Sequence, residues 1–222
     1  MKKAIFSWST GKDSALALHK ILEQKEFEVV SLVTTVTEDY GRVSMHGLRT
    51  ELLEMQAESV GIPLKKIFIP KECTNEIYEE SFHMGIQEII NNGVNNIIFG
   101  DIHLEEIRDF RLKQMEKIGM QCVFPIWHEE SSKLAERFIR LGFRVRTVCV
   151  DSNVLPKTFA GREYDSNFLS QLPDNIDKCG ENGEFHTFAY NGPIFSFEVK
   201  NDIGDIVLRN GRFYYCDLYK TE

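Results

Sequence analysis

The run Ser9, Thr10, Gly11, Lys12, Asp13, Ser14 directly follows the apolar residues Ala4, Ile5 and Phe6 and opens a helical pattern at Ala15, Leu16, Leu18, Ile21 and Leu22. A strand, a small-residue loop and a helix joined in this way make a phosphate-binding geometry. The loop leaves backbone N–H groups free to surround an anion, and the unpaired donors and positive dipole end of the helix point at it. Lys12 adds a mobile positive charge, and the hydroxyls of Ser7, Ser9, Thr10 and Ser14 add neutral donors. The spacing is not that of a Walker A loop, and no G-x-G-x-x-G is present. An ordinary N-cap and turn would use some of these residues but would not need so many phosphate-loop features together.

A second cluster lies at residues 179–187, reading Cys-Gly-Glu-Asn-Gly-Glu-Phe-His-Thr. Gly180 and Gly183 allow tight turns, Glu181 and Glu184 can bind a cation or a cationic group, and His186 could move a proton near neutral pH. The same residues also read as a polar surface turn with Asn182 and Gly183 at its corner. Gly100 and Asp101 open a dense polar group with His103, Glu105, Glu106, Arg108 and Asp109. Thr34, Thr35 and Val36 end a strand where an adenosine could rest, though plain β-branched strand residues fit them as well. His46 and Arg49, at the start of the second helix, could contact phosphate or carboxylate, or simply lie on a helix surface. His103 and His128 do not have a metal-site spacing.

The elements that carry these residues alternate. Strands are predicted at residues 4–6, 29–36, 66–69, 96–99 and 122–124, with helices between them ending near Lys25 and at Gly61, Asn92–Gly93 and Gly119. This α/β pattern calls for a parallel five-stranded sheet with helices on both faces and ligands at the carboxyl ends of its strands. The phosphate loop follows the first strand and Asp101 the fourth, so both belong on one rim. After Pro125 the pattern changes to a helix at 131–141, a strand at 144–150, a loop-rich stretch at 156–193, and short strands at 195–199, 205–208 and 213–218. The division expected is an ATP-binding domain over 1–127 and a smaller α+β C-terminal domain over 128–222 that binds substrate.

Composition sets the frame: 222 residues, 42% hydrophobic, 27% charged and a net charge of -8, ordinary for a globular protein and against nucleic acid as a partner. The basic run Arg137, Arg140, Arg144, Arg146 is interleaved with apolar residues and reads as a solvated helix face. No stretch approaches the roughly 20 apolar residues that span a bilayer. The chain passes from two lysines straight into a strand rather than a signal-peptide core, which predicts a cytoplasmic protein with no membrane partner. The 5 cysteines have no C-x-x-C pair, and reduced thiols are expected. Cys179, in a polar loop, is the one to test for reactivity.

The loop resembles the pyrophosphate loop (PP-loop) of the ATP pyrophosphatase superfamily, usually Ser-Gly-Gly-x-Asp-Ser. Thr10 stands at its first Gly, which suits the loop provided residue 10 does not need positive φ. Six segments then occur in the order of one family: 8–14, Met45-His46-Gly47-Leu48-Arg49, Phe99-Gly100-Asp101-Ile102, Phe124-Pro125 with Trp127, Gly161-Arg162-Glu163, and 179–187. Across nearly its whole length the chain resembles the diphthine-ammonia ligase family. The resemblance implies a Rossmann-like fold of the adenine nucleotide alpha hydrolase type. It also implies a reaction in which ATP activates a carboxylate as an acyl adenylate, pyrophosphate leaves, and ammonia displaces AMP.

On that reading Ser9 to Ser14 grip the pyrophosphate, with Lys12 offsetting its charge. Lys12, Asp13 and Asp101 are the catalytic candidates, and Asp13 and Asp101 are candidates to hold Mg²⁺. Glu181, Asn182, Gly183, Glu184 and His186 face the acyl substrate. Phe185 or Tyr164 would suit the quaternary ammonium of diphthine. The acceptor implied is elongation factor 2 carrying diphthine, or another carboxylate, and free ammonium is the simplest nitrogen donor. Adenylation of a tRNA base or small metabolite, and a nucleotide-binding module without turnover, are the competing readings. Short terminal strands could pair two copies as a homodimer.

Overall fold

Strand β1 (Lys2–Ser7) sends Ala4 and Phe6 to one face and Ile5 to the other, and all three are fully buried, so both faces of its sheet must be covered. The computed structural model, which describes residues 1–221, supplies that cover. Parallel strands β2 (Phe27–Thr37), β4 (Leu64–Ile69), β5 (Asn96–Ile98) and β6 (Gln121–Val123) join β1 in the spatial order β4-β2-β1-β5-β6. Helices α1 (Lys12–Gln24) and α2 (Thr50–Val60) pack on the face of Phe6. Helices α3 (Asn75–Asn91) and α4 (Glu105–Glu116) pack on the face of Ile5. The five predicted parallel strands are all present. A sixth strand, the two-residue β3 (Arg42–Val43), pairs antiparallel with the end of β2 and was too short to show a period.

The order reverses at β1, whose neighbours are β2 on one side and β5 on the other. Chains leaving β1 and β5 must diverge there, which opens a crevice at their carboxyl ends. The phosphate loop leaves β1 at this point and Gly100 follows β5.

The C-terminal half folds as α5 (Ser131–Arg140), β7 (Arg144–Asp151), α6 (Ser166–Gln171), β8 (Phe185–Asn191), β9 (Asn201–Arg209) and β10 (Phe213–Lys220). Its four strands form an antiparallel sheet in the order β8-β7-β10-β9. Two expectations are corrected. Residues 195–199 are not a strand: the N–H of Ser196 and of Phe197 bond to Ser59 at the end of α2 instead of a ladder. The loop-rich stretch contains α6 and β8. β8 is buried on both sides, so its sequence lacks the alternation that marks a half-buried strand.

One core cluster runs through both halves, from Ala4 and Leu18 to Phe188 and Leu218. Its polar tie is Gln56, a fully buried residue of α2. Gln56 accepts from Trp8 Nε1 at 2.8 Å and donates to the carbonyls of Thr10 and Ala189. Gln56→Leu keeps the volume but orphans a buried indole N–H and a strand carbonyl, each worth about 1–3 kcal/mol. Thermal unfolding of that variant should show a loss on the order of 2–4 kcal/mol, far above the typical surface substitution.

Candidate active site

Trp8 continues the β1 ladder through its N–H to Val33, after which the chain must turn sharply into α1. It does so at Thr10, whose φ is 73°, so residue 10 does require the left-handed region, contrary to the condition set by its Cβ. A β-branched residue there is strained by roughly 1–3 kcal/mol and persists only where its surroundings over-determine it. The Thr10 carbonyl accepts from the N–H of Ala189 at 2.9 Å and from Gln56, and its hydroxyl lies 3.3 Å from His46 Nδ1. Gly11 caps α1 with no side-chain hydrogen bond of its own, and a Cβ on it would meet the His46 ring at 3.1 Å and the Thr187 carbonyl at 3.2 Å. Ser9 and Ser14 share a hydroxyl contact of 2.7 Å across the loop. Gly100 lies so close that a Cβ on it would sit 3.1 Å from the Ser14 nitrogen.

The 177–187 segment closes over this loop. Asp177, which the sequence reading missed, organises it by accepting from the N–H groups of Cys179 and Glu181. The Lys12 N–H donates to Thr187 Oγ1 at 3.0 Å. The Lys12 ammonium is buried against both carboxylate oxygens of Asp13, at 2.8 and 2.7 Å, and the Cys179 carbonyl. Burial opposes that charge, but the Asp13 carboxylate and its hydrogen bonds, helped by Glu181, hold the ammonium above its ordinary value. Glu181 accepts from the N–H groups of Ile102 at 2.8 Å and His103 at 3.3 Å, which ties this segment to the chain leaving β5.

The rings of His46 and His186 lie 4.8 Å apart, tilted by 31°, beside the loop. Burial first, and then the neighbouring imidazole, holds His46 at about 3; burial and the Lys12 ammonium hold His186 at about 4. Both are neutral at pH 7, so His186 is not poised to titrate there as its residue type suggested. Cys179 is buried and its thiol pKa is pushed up by desolvation, so it is an inert packing group rather than a reactive one. Tyr164 and Phe185 are buried, and their rings face the Lys12 ammonium.

The crevice thus brings together Ser9, Thr10, Gly11, Lys12, Asp13, Ser14, His46, Gly100, Glu181 and His186. Other candidates are engaged elsewhere. Arg49 precedes α2 and grips Asp217 of β10 through Nε and Nη2. Thr34 spends its hydroxyl on the Trp8 carbonyl. Thr35 continues β2 beside it, its carbonyl accepting from Ser44. Asp101 is paired with Arg111 at 2.7 Å. Asn182 and Glu184 bond to each other, and Glu184 also accepts from the Asp177 N–H, so both shape the turn that Gly183 permits at φ 85°. Ser7 sits partly buried at the end of β1. Among the described residues no three His, Cys, Asp or Glu side chains form a ready-made metal cage. Gln56 was missed too; a glutamine on the apolar face of a helix was the available signal.

Two family models match the chain: diphthamide synthase N-terminal domain over residues 1–122 and diphthamide synthase C-terminal domain over residues 130–218. Among solved structures, the chain is similar to one described as a predicted subunit of tRNA methyltransferase from Methanocaldococcus jannaschii. The TM-score is 0.41 at 18% identity, over 67% of this chain and 79% of that one, a likeness that carries no argument. A search of curated proteins gives no match.

Glu181 provides a test of this geometry. Burial first, and then the Asp13 carboxylate, push it up to about 7, against the two N–H donors and Lys12. Its pKa in the fold is thus above its unfolded value, so its ionisation costs stability as pH rises from about 4.5 to 7. Glu181→Gln keeps the acceptor oxygen and removes the charge. Its melting temperature should match wild type near pH 5 and exceed it at pH 8, by on the order of 1–3 kcal/mol in unfolding free energy.

Proposed function

The chain belongs to the diphthamide synthase family, and from that premise we propose that it is an ATP-dependent amide-forming ligase of the PP-loop type. The observation that carries this reading is the closure of residues 177–187 over the phosphate loop, through Lys12 to the Cys179 carbonyl and Glu181 to the chain after β5. Nucleotide phosphates and an acyl group held by that segment would meet in one crevice.

A carboxylate has no acceptable leaving group, so it is first activated. Its oxygen attacks the α-phosphorus of ATP, and the bond to the β-phosphate oxygen breaks as pyrophosphate leaves. Ammonia then attacks the acyl carbon, AMP departs, and the nitrogen loses a proton. The N-terminal end of α1, the loop N–H groups and the hydroxyls of Ser9 and Ser14 receive the pyrophosphate. Lys12, first residue of α1, offsets its charge. His46, beside Gly11, borders the same anion site. Glu181 and His186 form the wall offered to the acyl substrate, and Asn182, Gly183 and Glu184 shape the turn that holds them there.

The part-buried carboxylates of Asp13 and Asp101, paired with Lys12 and Arg111, fit Mg²⁺ brought in with ATP. Asp13 and Asp101 would hold it, with phosphate oxygens completing its shell, and the ion supplies charge neutralisation on the phosphates when bound. The acceptor proposed is a carboxylate of the diphthine type on elongation factor 2 or a related one, and the nitrogen donor free ammonia. Among the described residues no helix is long and apolar enough to cross a membrane, and a cytoplasmic setting fits those substrates. The outer edge of β9, with Ile203, Val207 and Leu208 exposed, is where two copies would pair.

ATP labelled at the α-phosphate, incubated with Mg²⁺, ammonium and diphthine-bearing elongation factor 2 or a cell extract, should yield labelled AMP with pyrophosphate. The yield should depend on acceptor and fall on the order of 100-fold in Asp13→Ala. ADP with phosphate, or intact ATP under every condition, would overturn the ligase and favour a nucleotide-binding module.

A further inference from the structure

An ammonium group already sits in this crevice, that of Lys12, and its surroundings are those of a cation site. The Asp13 carboxylate and the Cys179 carbonyl accept its N–H groups. The Nζ lies 5.7 Å from the centre of the Tyr164 ring and 5.6 Å from that of Phe185. Carboxylate, carbonyl and two π faces together complete the shell of a desolvated R–NH₃⁺. Most of this cage is built without Lys12. The Tyr164 hydroxyl donates to the Lys178 carbonyl at 2.6 Å, and its ring packs on Phe168 and Phe185. Asp177 holds the turn that presents the Cys179 carbonyl.

Lys12 itself belongs to the phosphate loop. Its backbone is pinned by Thr187, while its flexible four-carbon stem can carry the ammonium to an anion bound at the N-terminal end of α1. Once drawn there, it leaves one Asp13 oxygen, the Cys179 carbonyl and two buried ring faces without the N–H donor they surround, a site suited to another cation.

We propose that this cage, vacated by Lys12 when nucleotide phosphates draw it into the loop, binds the free ammonium ion that serves as nitrogen donor, which gives one proton to the Asp13 carboxylate so that the lone pair of the resulting ammonia can attack the acyl carbon. The assignment of the ion as nitrogen donor rests on the ligase reading; the cation site does not. The cage favours NH₄⁺ over a quaternary ammonium, because the Cys179 carbonyl and Asp13 accept hydrogen bonds and a trimethylammonium has no N–H to give. Its rings are also 3% and 2% exposed, closed to a bulky group. Loading would then be ordered, with ammonium following nucleotide.

Thermal unfolding tests this without turnover. Lys12→Met removes the internal cation, and ammonium or methylammonium chloride should raise its melting temperature by several degrees at tens of millimolar. Potassium and tetramethylammonium chloride at equal ionic strength should not. Wild-type protein should respond to ammonium only with Mg²⁺ and α,β-methylene-ATP bound, a measurement that stands even if Lys12→Met does not fold. In that complex Phe185→Leu should need on the order of tenfold more ammonium for the same shift. An equal response to potassium or tetramethylammonium, or no ammonium response in the nucleotide-bound wild type, overturns the site. Ammonium-specific binding in a protein that forms no AMP would instead refute the ligase reading and keep the site.

Discussion

The carbonyl of Thr10 is the point on which the two halves of the protein turn. It projects from a left-handed β-branched residue and accepts from the Ala189 N–H and the Gln56 amide. β8 is an edge strand of the second sheet, and the phosphate loop occupies its open side at Ala189. One contact therefore satisfies an edge, sets the shape of the anion loop and fixes where residues 179–187 fall. The strain at Thr10 is sustained because two elements, α2 and β8, would lose hydrogen bonds if it relaxed.

Charge follows from that docking. Closing one segment over another buries Asp13 and Glu181 near each other, and Lys12 is the cation that balances them. Its backbone and its ammonium both contact the closing segment, at Thr187 and at Cys179. The neutral pair His46 and His186 keeps further positive charge out of the same space. Arg49, Arg42 and Asp217 do their work outside, joining the chain before α2 to β10.

Much of the fold was legible because its signals are local. Alternating apolar strands and helices and glycine stops placed five parallel strands correctly, with the small-residue loop at the first strand-to-helix junction. What escaped notice lacked periodicity: β3 has two residues, α6 is a short helix, and β8 is buried on both sides. Residues 195–199 looked like a strand because apolar content alone does not reveal that Ser59 takes their N–H groups.

The same divide runs through the site. Which residues can bind phosphate, carry charge or turn sharply is a matter of residue type and spacing, and the six ordered segments carried the family. Partnership is another matter. That Asp101 pairs with Arg111, that Thr34 serves Trp8, that Gln56 bridges the halves and that Lys12 fills an aromatic cage depends on groups far apart in the chain meeting in space. The chain order by itself determined the inventory of chemical groups and the rim on which the phosphate loop lies. Only the tertiary structure decided which of them are free, which are charged and which are already paired, because burial and proximity set those energies.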